Sequence, residues 1–385
     1  MGKDYGLWIF APFTIIMTLI FAKNMQVPLN PYVVPFGMLV IVCIGALILF
    51  LFTIKHKLPY IIVQLILFAI LAILSTYING EYMDGDFLLT IISIVFWIIV
   101  YIASYIVTRK SQNSRGPFYI VALTLPYIAY LYYLIFQGQV NGIYYVLIFL
   151  PIILTLQKTY LKVFGIFVIF ACVIVSLKRT ALIAAVLAVF VYFFITSSQA
   201  KKQEHNIKNT LIALGVMLIA SIGAAYLYEY LSQYFNLDWL ARMQALQTDG
   251  GSNRDLIWKT TINMQFNSTA LEWLFGHGYN AVLRYSPFEL SAHNDFLEVL
   301  FDYGLSGFAF YISFIISLFR IFNRMYGDKF VLVAQFASSL IIFLVMSTTS
   351  HLVIYPTYFI YLAFFWGVSI AQYENQKKGV LKIVQ

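Results

Sequence analysis

The chain has 385 residues, of which 62% are hydrophobic and only 10% are charged, with a formal net charge of +8. Soluble domains are about half apolar and about one quarter charged, so this composition excludes an ordinary soluble protein and predicts an all-α, polytopic integral membrane protein. The basic residues are scattered over short loops, which indicates membrane topology and excludes nucleic acid as a partner. The two cysteines lie within apolar runs and indicate neither a disulfide framework nor a zinc site.

A membrane-spanning helix needs about 20 mainly apolar residues. The sequence predicts about twelve such helices, and the first is expected to be retained because no small-residue cleavage site follows it. The predicted spans cover residues 6–22, 32–53, 59–78, 87–107, 118–136, 143–157, 162–177, 180–196, 209–231, 296–319, 330–349 and 355–372. The sixth, seventh and eighth are short and closely spaced, which favours tilted or re-entrant segments there.

The distribution of positive charge assigns a side of the membrane to each loop. With the N-terminus inside, 17 of the 24 Lys and Arg residues fall in segments predicted to be cytoplasmic. Membrane proteins keep Lys and Arg on the cytoplasmic side, so both termini are predicted there. The chain is thus divided into N-terminal transmembrane helices (1–231), an extracytoplasmic loop (232–295), C-terminal transmembrane helices (296–372) and a cytoplasmic tail (373–385).

The extracytoplasmic loop concentrates the polar residues of this apolar chain. It is about sixty residues long, which is too long for a simple connector. Residues 249–253 form a turn signal that can cap a helix beginning near Arg254, and residues 256–265 have helical apolar spacing. The loop is therefore expected to form a small, partly helical cap over the membrane domain.

Lys178 and Arg179 are cations on the side of the membrane where the charge rule avoids them. A charge at membrane depth costs about 2.5–3.5 kcal/mol, so it is usually paired or functional. The pair is either an interfacial pair that reaches towards the headgroups or a cationic patch for an anionic lipid headgroup. An arginine suits a diphosphate because its planar fork holds two oxygens and stays charged.

Arg254 opens an amphipathic segment of the extracytoplasmic loop. It forms either a surface ion pair with Asp255 or Asp249, or a second phosphate clamp that is strengthened by a helix N-terminus. Three further cations of the loop are weaker candidates for substrate binding: Arg242, Lys259 and Arg284.

Three carboxylates mark the start of the tenth predicted helix. Asp295, Glu298 and Asp302 are spaced three and four residues apart, so they share one helix face. That face is expected to line a cavity or to pair with cations. His293 stands immediately before it and is either a general base, because the pKa of histidine is near neutrality, or an interfacial histidine bonded to a backbone carbonyl.

The remaining motifs indicate structure rather than chemistry. Residues 274–280 (LFGHGYN) predict a tight turn and lack the third glycine and the strand–helix context of a nucleotide site. The histidines at 277, 293 and 351 are all predicted on the outer side, but they have no metal-ligand spacing, so neither a metal nor another cofactor is predicted. Hydrolase, zinc-protease and ATPase sequence motifs are absent.

Taken together, these segments resemble the O-antigen ligase/polymerase superfamily, whose polytopic enzymes complete bacterial surface polysaccharides. The resemblance rests on residues 176–182 (SLKRTAL), 253–258 (NRDLIW), 275–279 (FGHGY), 292–297 (AHNDFL) and 302–307 (DYGLSG). It covers roughly residues 165–320. The order and topology of the pieces carry it, because each piece alone is weakly specific.

The resemblance implies a metal-independent, inverting glycosyltransferase in the bacterial inner membrane. Its donor would be a glycan on undecaprenyl diphosphate, exposed at the outer face. The family's arginines hold the diphosphate, a role that falls on Arg179 and Arg254, with Lys178 beside them. The family's histidine activates the acceptor hydroxyl, a role that falls on His293.

We favour a polymerase of lipid-linked repeat units for O-antigen, capsule or exopolysaccharide. A ligase that moves the glycan to a lipid A core or protein hydroxyl is the alternative. A transporter or flippase of lipid-linked glycans is a second alternative, although the polar residues gather on one side of the membrane, which favours the enzyme. The expected partners are the lipid-linked glycan, membrane lipid and a chain-length regulator or flippase.

Overall fold

A computed structural model describes residues 33–53, 58–79, 87–110, 143–176, 178–199, 215 and 254–377. Of these residues, 84% are helical and none lies in a strand, which confirms the all-α prediction for the part of the chain that is described. Four of the helices are long and apolar enough to cross a membrane, and several others are shorter but also apolar. The protein is therefore an integral membrane protein by the composition of its helices.

The described helices fall into three groups along the chain. The first group is α1 (Val33–Thr53), α2 (Tyr60–Ile78), α3 (Phe87–Lys110), α4 (Ile143–Ile148), α5 (Leu150–Ile153), α6 (Thr159–Val175) and α7 (Arg179–Gln199). Three shorter helices follow in the predicted loop: α8 (Arg254–Phe266), α9 (Ala270–Phe275) and α10 (Ala281–Tyr285). The last group is α11 (Asp295–Gly327), α12 (Val333–Thr349) and α13 (Pro356–Lys377).

Most of the predicted spans coincide with these helices. The predicted spans 6–22, 118–136 and 209–231 lie outside the described residues, as does the loop between 216 and 253. The total of twelve spans and the domain boundaries therefore stay predictions. The helix predicted at 296–319 extends further, to Gly327, because the polar residues after the apolar run continue the helical hydrogen bonds.

One predicted span, in the part of the chain where tilted or re-entrant segments are expected, is interrupted. Residues 143–157 are not a single helix, because α4 ends at Ile148 and a separate short helix, α5, follows. Pro151 lies in the first turn of α5, where it lacks the N–H that would continue the bonds of α4. Every side chain from 143 to 154 is buried, so this broken segment lies inside the helix bundle.

The core of the bundle is built on close contacts between α3 and α13. Gly367 allows this approach, since a Cβ there would lie 2.5 Å from the carbonyl oxygen of Tyr101. Trp366 is fully buried and donates its indole N–H to Ser339 of α12 at 2.8 Å. α1 packs on α3, α2 on α11 and α7 on α12, so the two terminal groups of helices form one body.

Polar residues collect at the two ends of the long helix α11. At its C-terminal end, Asp328 pairs with Lys377 at 2.9 Å. Arg109 pairs with Glu374 at 3.4 Å and donates to Asn375 at 2.9 Å. Arg109 and Lys377 both fall in segments predicted to be cytoplasmic. Each lies in the last turn of its helix, where it makes the polar contacts described above. The candidate site lies at the opposite end, where α11 begins.

Candidate active site

The glycine-containing turn of the loop meets α11 at a break in that helix. Gly304 has φ +65° and ψ −170°, so the helix is interrupted there. In a continuous helix the carbonyls of Phe301 and Asp302 would accept from N–H groups four residues later. At the break these carbonyls accept from the N–H groups of His277 and Gly278, at 3.0 and 2.8 Å. The break therefore holds the turn against the helix.

Only glycine fits where this turn touches α11. Gly276 has φ +80°, and a Cβ there would overlap the carbonyl of Asp302. A Cβ at Gly304 would lie 2.5 Å from the carbonyl carbon of Leu274. Ser75 of α2 adds to the contact by donating to the carbonyl of Asp302 at 2.8 Å. The prediction that this segment is a structural turn is confirmed.

Asp302 joins the turn to α11 through its side chain. Its two carboxylate oxygens accept from the N–H groups of Asn280, Ala281 and Val282, at 2.9, 3.0 and 3.3 Å. These are first-turn donors of α10, which have no partner within their own helix. The carboxylate is fully buried. Asp302 is thus bonded to backbone N–H groups, whereas the sequence suggested a cavity or a cation.

Asp295 makes a similar connection to the segment that follows α12. It accepts from the N–H groups of Leu352 and Val353, at 2.8 and 3.1 Å, and from the hydroxyl of Ser347 at 2.7 Å. Asp295 is fully buried. Its carboxylate therefore fixes the segment between α12 and α13 over the first turn of α11.

Glu298 is the third member of the carboxylate face. One oxygen accepts from the N–H of Ala292 at 2.5 Å, and the other is buried without a hydrogen-bond partner among the described residues. The shared helix face predicted from the spacing is confirmed. The roles of Asp295, Glu298 and Asp302 in binding substrate stay predictions.

His293 lies in the gap between the loop and α11. Its backbone has φ +51°, a left-handed conformation that is unusual for residues other than glycine. Its neighbour Ala292 is held on both sides, because Glu298 accepts from its N–H and Trp258 donates to its carbonyl at 2.8 Å. Asn294 caps α11 by accepting from two N–H groups of the first turn. These bonds fix the backbone on which His293 is displayed.

His351, which follows α12, contacts His293 directly. The two Nδ1 atoms are 3.0 Å apart, and the ring planes differ by 27°. His351 also lies 3.3 Å from the hydroxyl of Ser291 and packs on the ring of Tyr355, with centroids 4.2 Å apart. The alternative prediction for His293 was a bond to a backbone carbonyl, whereas its Nδ1 atom contacts another imidazole.

Two of the predicted cations act on this histidine pair. The pKa of His293 is lowered to about 4, mainly by burial and then by the charges of Arg254 and Lys178. Burial also lowers the pKa of His351 to about 3, with His293, Arg254 and Lys178 as the next causes. Both imidazoles are therefore neutral at physiological pH. The structure thus brings Lys178, Arg254 and His293 together from three separate parts of the sequence.

The helix α8 carries Arg254 to this position. Trp258 lies one turn after Arg254 and on the same helix face. Its indole N–H anchors α8 to the carbonyl of Ala292, next to His293. Within the described residues Arg254 forms no ion pair with Asp255. Asp249, the other predicted partner, lies outside the described residues, so the role of Arg254 as a phosphate clamp stays a prediction.

Arg179 begins α7 and lies at the edge of the same region. It is half-buried, and its Nη1 atom is shielded from solvent. The following residue, Thr180, lies within hydrogen-bonding reach of the hydroxyl of Tyr144. The same hydroxyl is within reach of the Ser350 side chain and interacts electrostatically with Arg254. α4 thus connects the start of α7 to the residue before His351.

The other predicted cations lie elsewhere. Lys259 is exposed on α8, and Arg284 donates to the carbonyls of His277 and Tyr279 at 3.3 and 3.1 Å. Arg242 lies outside the described residues. Their part in substrate binding stays a prediction. In the ranges that are described, no three His, Cys, Asp or Glu side chains form a set of metal ligands.

Reasoning from the sequence missed two residues of the site. His351 was noted only as a histidine on the outer side, and Tyr144 was included in an apolar span. The available signal for His351 was its predicted position on the same side as His293. No signal identified Tyr144, because one hydroxyl in an apolar run does not stand out.

One comparison with known families covers the region of this site. The family model described as O-antigen ligase matches residues 164–312. This range contains the cations at 178, 179 and 254, the glycine turn, His293 and the carboxylate face. A comparison with curated proteins gives no match. The match over residues 164–312 supports the resemblance to the O-antigen ligase/polymerase superfamily, whose members are glycosyltransferase-like membrane enzymes.

Proposed function

We propose that the protein transfers a glycan from undecaprenyl diphosphate to a hydroxyl acceptor at the outer face of the membrane. The observation that carries the proposal is the meeting of two cations, Lys178 and Arg254, around one neutral imidazole, His293. Cations suit the diphosphate of the donor, and an unprotonated imidazole suits the removal of a proton from the acceptor.

The chemistry requires one bond exchange and one proton transfer. The acceptor hydroxyl gives its proton to Nε2 of His293 while its oxygen attacks the anomeric carbon of the donor sugar. The bond from that carbon to the phosphate oxygen breaks, and the electron pair leaves with the diphosphate. Attack from the face opposite the leaving group inverts the anomeric carbon.

The cations stabilise the charge that develops on the leaving diphosphate. Lys178 and Arg179 stand at the N-terminus of α7, whose backbone N–H groups add positive potential. Arg254 lies in the first turn of α8, and its charge also acts on His293. In this scheme preorganised side chains supply the positive charge, so the transfer needs no metal ion.

Binding of the diphosphate would also make His293 a stronger base. In the free protein, Lys178 and Arg254 oppose protonation of the imidazole. An anion placed between them cancels part of that repulsion, so the pKa of His293 rises when the donor is bound. The base thereby gains strength only when a leaving group is present.

We further propose that the acceptor is the growing glycan itself, which makes the protein a polymerase of lipid-linked repeat units. A ligase that uses a lipid A core or protein hydroxyl is the second candidate. It is favoured slightly by the description of the matching family as O-antigen ligase. Both candidates share the donor and the site, and they differ only in the acceptor.

The experiment uses the native host deleted for this gene and complemented with wild type, Arg179→Ala, Arg254→Ala or His293→Ala. Variant levels in the membrane are matched by immunoblotting. Loss of polymer while single repeat units still reach the surface is the expected result. Normal polymer with free, unligated chains in the deletion strain indicates the ligase. Lipid-linked units that accumulate on the cytoplasmic side indicate a flippase and contradict the proposal.

A further inference from the structure

His351 contacts His293, and the proposed mechanism assigns no role to that contact. It lies outside the matched residues 164–312 and follows the C-terminus of α12. Its Nδ1 atom is 3.0 Å from Nδ1 of His293, 58 residues away in the sequence. Its ring is fixed between Tyr355 and the hydroxyl of Ser291.

The geometry of the pair requires two different tautomers. The ring centroids are 4.8 Å apart and the planes differ by 27°, and the two Nδ1 atoms are the contacting atoms. A neutral imidazole has one N–H and one lone pair. At 3.0 Å one Nδ1 therefore carries a hydrogen and the other offers a lone pair. Nε2 of His293 carries a lone pair only in the arrangement in which Nδ1 of His293 is the donor.

We propose that His351 is a positioning residue that accepts a hydrogen bond from Nδ1–H of His293. This holds His293 in the tautomer whose Nε2 carries the lone pair. The inference rests on the proposed role of His293 as the general base. When the acceptor proton arrives on Nε2, His293 becomes an imidazolium, and its bond to His351 becomes a stronger, charge-assisted one.

The surroundings of His351 hold its ring against His293. Its position is fixed because Asp295 accepts from the N–H groups of the next two residues, Leu352 and Val353. The hydroxyl of Ser291 lies 3.3 Å from the same Nδ1 atom and can rotate its hydrogen away, which leaves the single lone pair of that nitrogen to the N–H of His293. Burial lowers the pKa of both imidazoles, so neither ring is charged before the acceptor proton arrives.

Two substitutions separate this role from simple packing. His351→Phe keeps an aromatic ring against Tyr355 but cannot accept a hydrogen bond. His351→Asn is smaller, yet its amide oxygen can accept from Nδ1–H of His293. A structural role predicts that phenylalanine is the milder change, whereas the positioning role predicts that asparagine is.

The first measurement is ¹⁵N NMR of the full-length protein in lipid nanodiscs, labelled on the imidazole nitrogens. The chain has only five histidines, and the His293→Ala variant identifies the signals of His293 by subtraction. We expect a single Nδ1–H tautomer in the wild type and in His351→Asn, and a mixture in His351→Phe. His277→Phe is the matched control. His277 lies in the same loop as His293 but packs on Phe301 of α11, so its replacement should leave the tautomer of His293 unchanged.

The second measurement is the rate of polymer formation in membranes of the host that carry each variant. We expect His351→Phe to be slower by about tenfold or more, with recovery in His351→Asn, as for other partners that orient a reactive histidine. An Nε2–H tautomer in the wild type, or an unchanged tautomer in His351→Phe, overturns the proposal for His351. Normal rates in His293→Ala would instead overturn the proposed function, whatever the tautomer.

Discussion

Replacing Gly304 with alanine tests whether the break in α11 holds the loop of the site in place. At φ +65° and ψ −170° an L side chain costs about 1–3 kcal/mol. The new Cβ would also lie 2.5 Å from the carbonyl carbon of Leu274 and 2.6 Å from the nitrogen of Gly276. These are backbone atoms that cannot turn away, so relief requires the turn to leave the helix.

Leaving the helix breaks the two hydrogen bonds donated by His277 and Gly278, each worth about 1 kcal/mol. With the conformational cost, the expected destabilisation is about 3–5 kcal/mol. We expect hydrogen exchange of the two amides, measured in detergent micelles, to accelerate by more than a hundredfold in Gly304→Ala, since 1.4 kcal/mol corresponds to about tenfold.

The matched control lies in the same helix. Gly327 has open space around its Cβ position, so Gly327→Ala should exchange and unfold like the wild type. If Gly304→Ala also keeps the exchange rates and the unfolding midpoint of the wild type, the reasoning about the broken helix is refuted. Equal effects of the two substitutions would refute it as well.

Three further predictions concern the site itself. Lys178→Gln removes a positive charge that disfavours protonation of His293, so the pKa of His293 should rise from about 4. The acid limb of the pH–activity profile should then move to higher pH, and an unchanged limb contradicts this. Trp258→Phe deletes the bond to the carbonyl of Ala292 and should lower the transfer rate several-fold with little loss of thermal stability, measured side by side. Asp302→Asn turns an N–H donor towards the N–H groups of α10 and should destabilise the protein by about 2–3 kcal/mol in chemical unfolding, and a midpoint equal to that of the wild type would argue against it.

The sequence contained the periodicity of the carboxylate face but not its partners. The spacing of Asp295, Glu298 and Asp302 placed them on one helix face, and the structure has them there. Asp302 accepts from backbone N–H groups 20 to 22 residues before it, and Asp295 accepts from others 57 and 58 residues after it, brought close by the break at Gly304 and by the return of α12. Periodicity reports the face of a helix and carries no information on such distant donors.

The contact between His293 and His351 was hidden for the same reason. Charge patterning predicted that both histidines lie on the outer side, which is a condition for contact and not evidence of it. The pairing depends on how the segment after α12 folds over α11, where Asp295 holds it. The resemblance implied that Arg179, Arg254 and His293 meet, whereas the charge acting on His293 beside that of Arg254 is that of Lys178, the neighbour of Arg179.

The most direct test of the account is glycan transfer by the purified protein in lipid nanodiscs. The donor is the lipid-linked oligosaccharide isolated from the host, and the readout is the rate at which undecaprenyl diphosphate is released together with lengthened glycan. The account predicts that His293→Ala lowers this rate by about a hundredfold or more while the donor still binds, and that Arg254→Ala weakens donor binding as well. Release and transfer at the wild-type rate in His293→Ala would contradict the account.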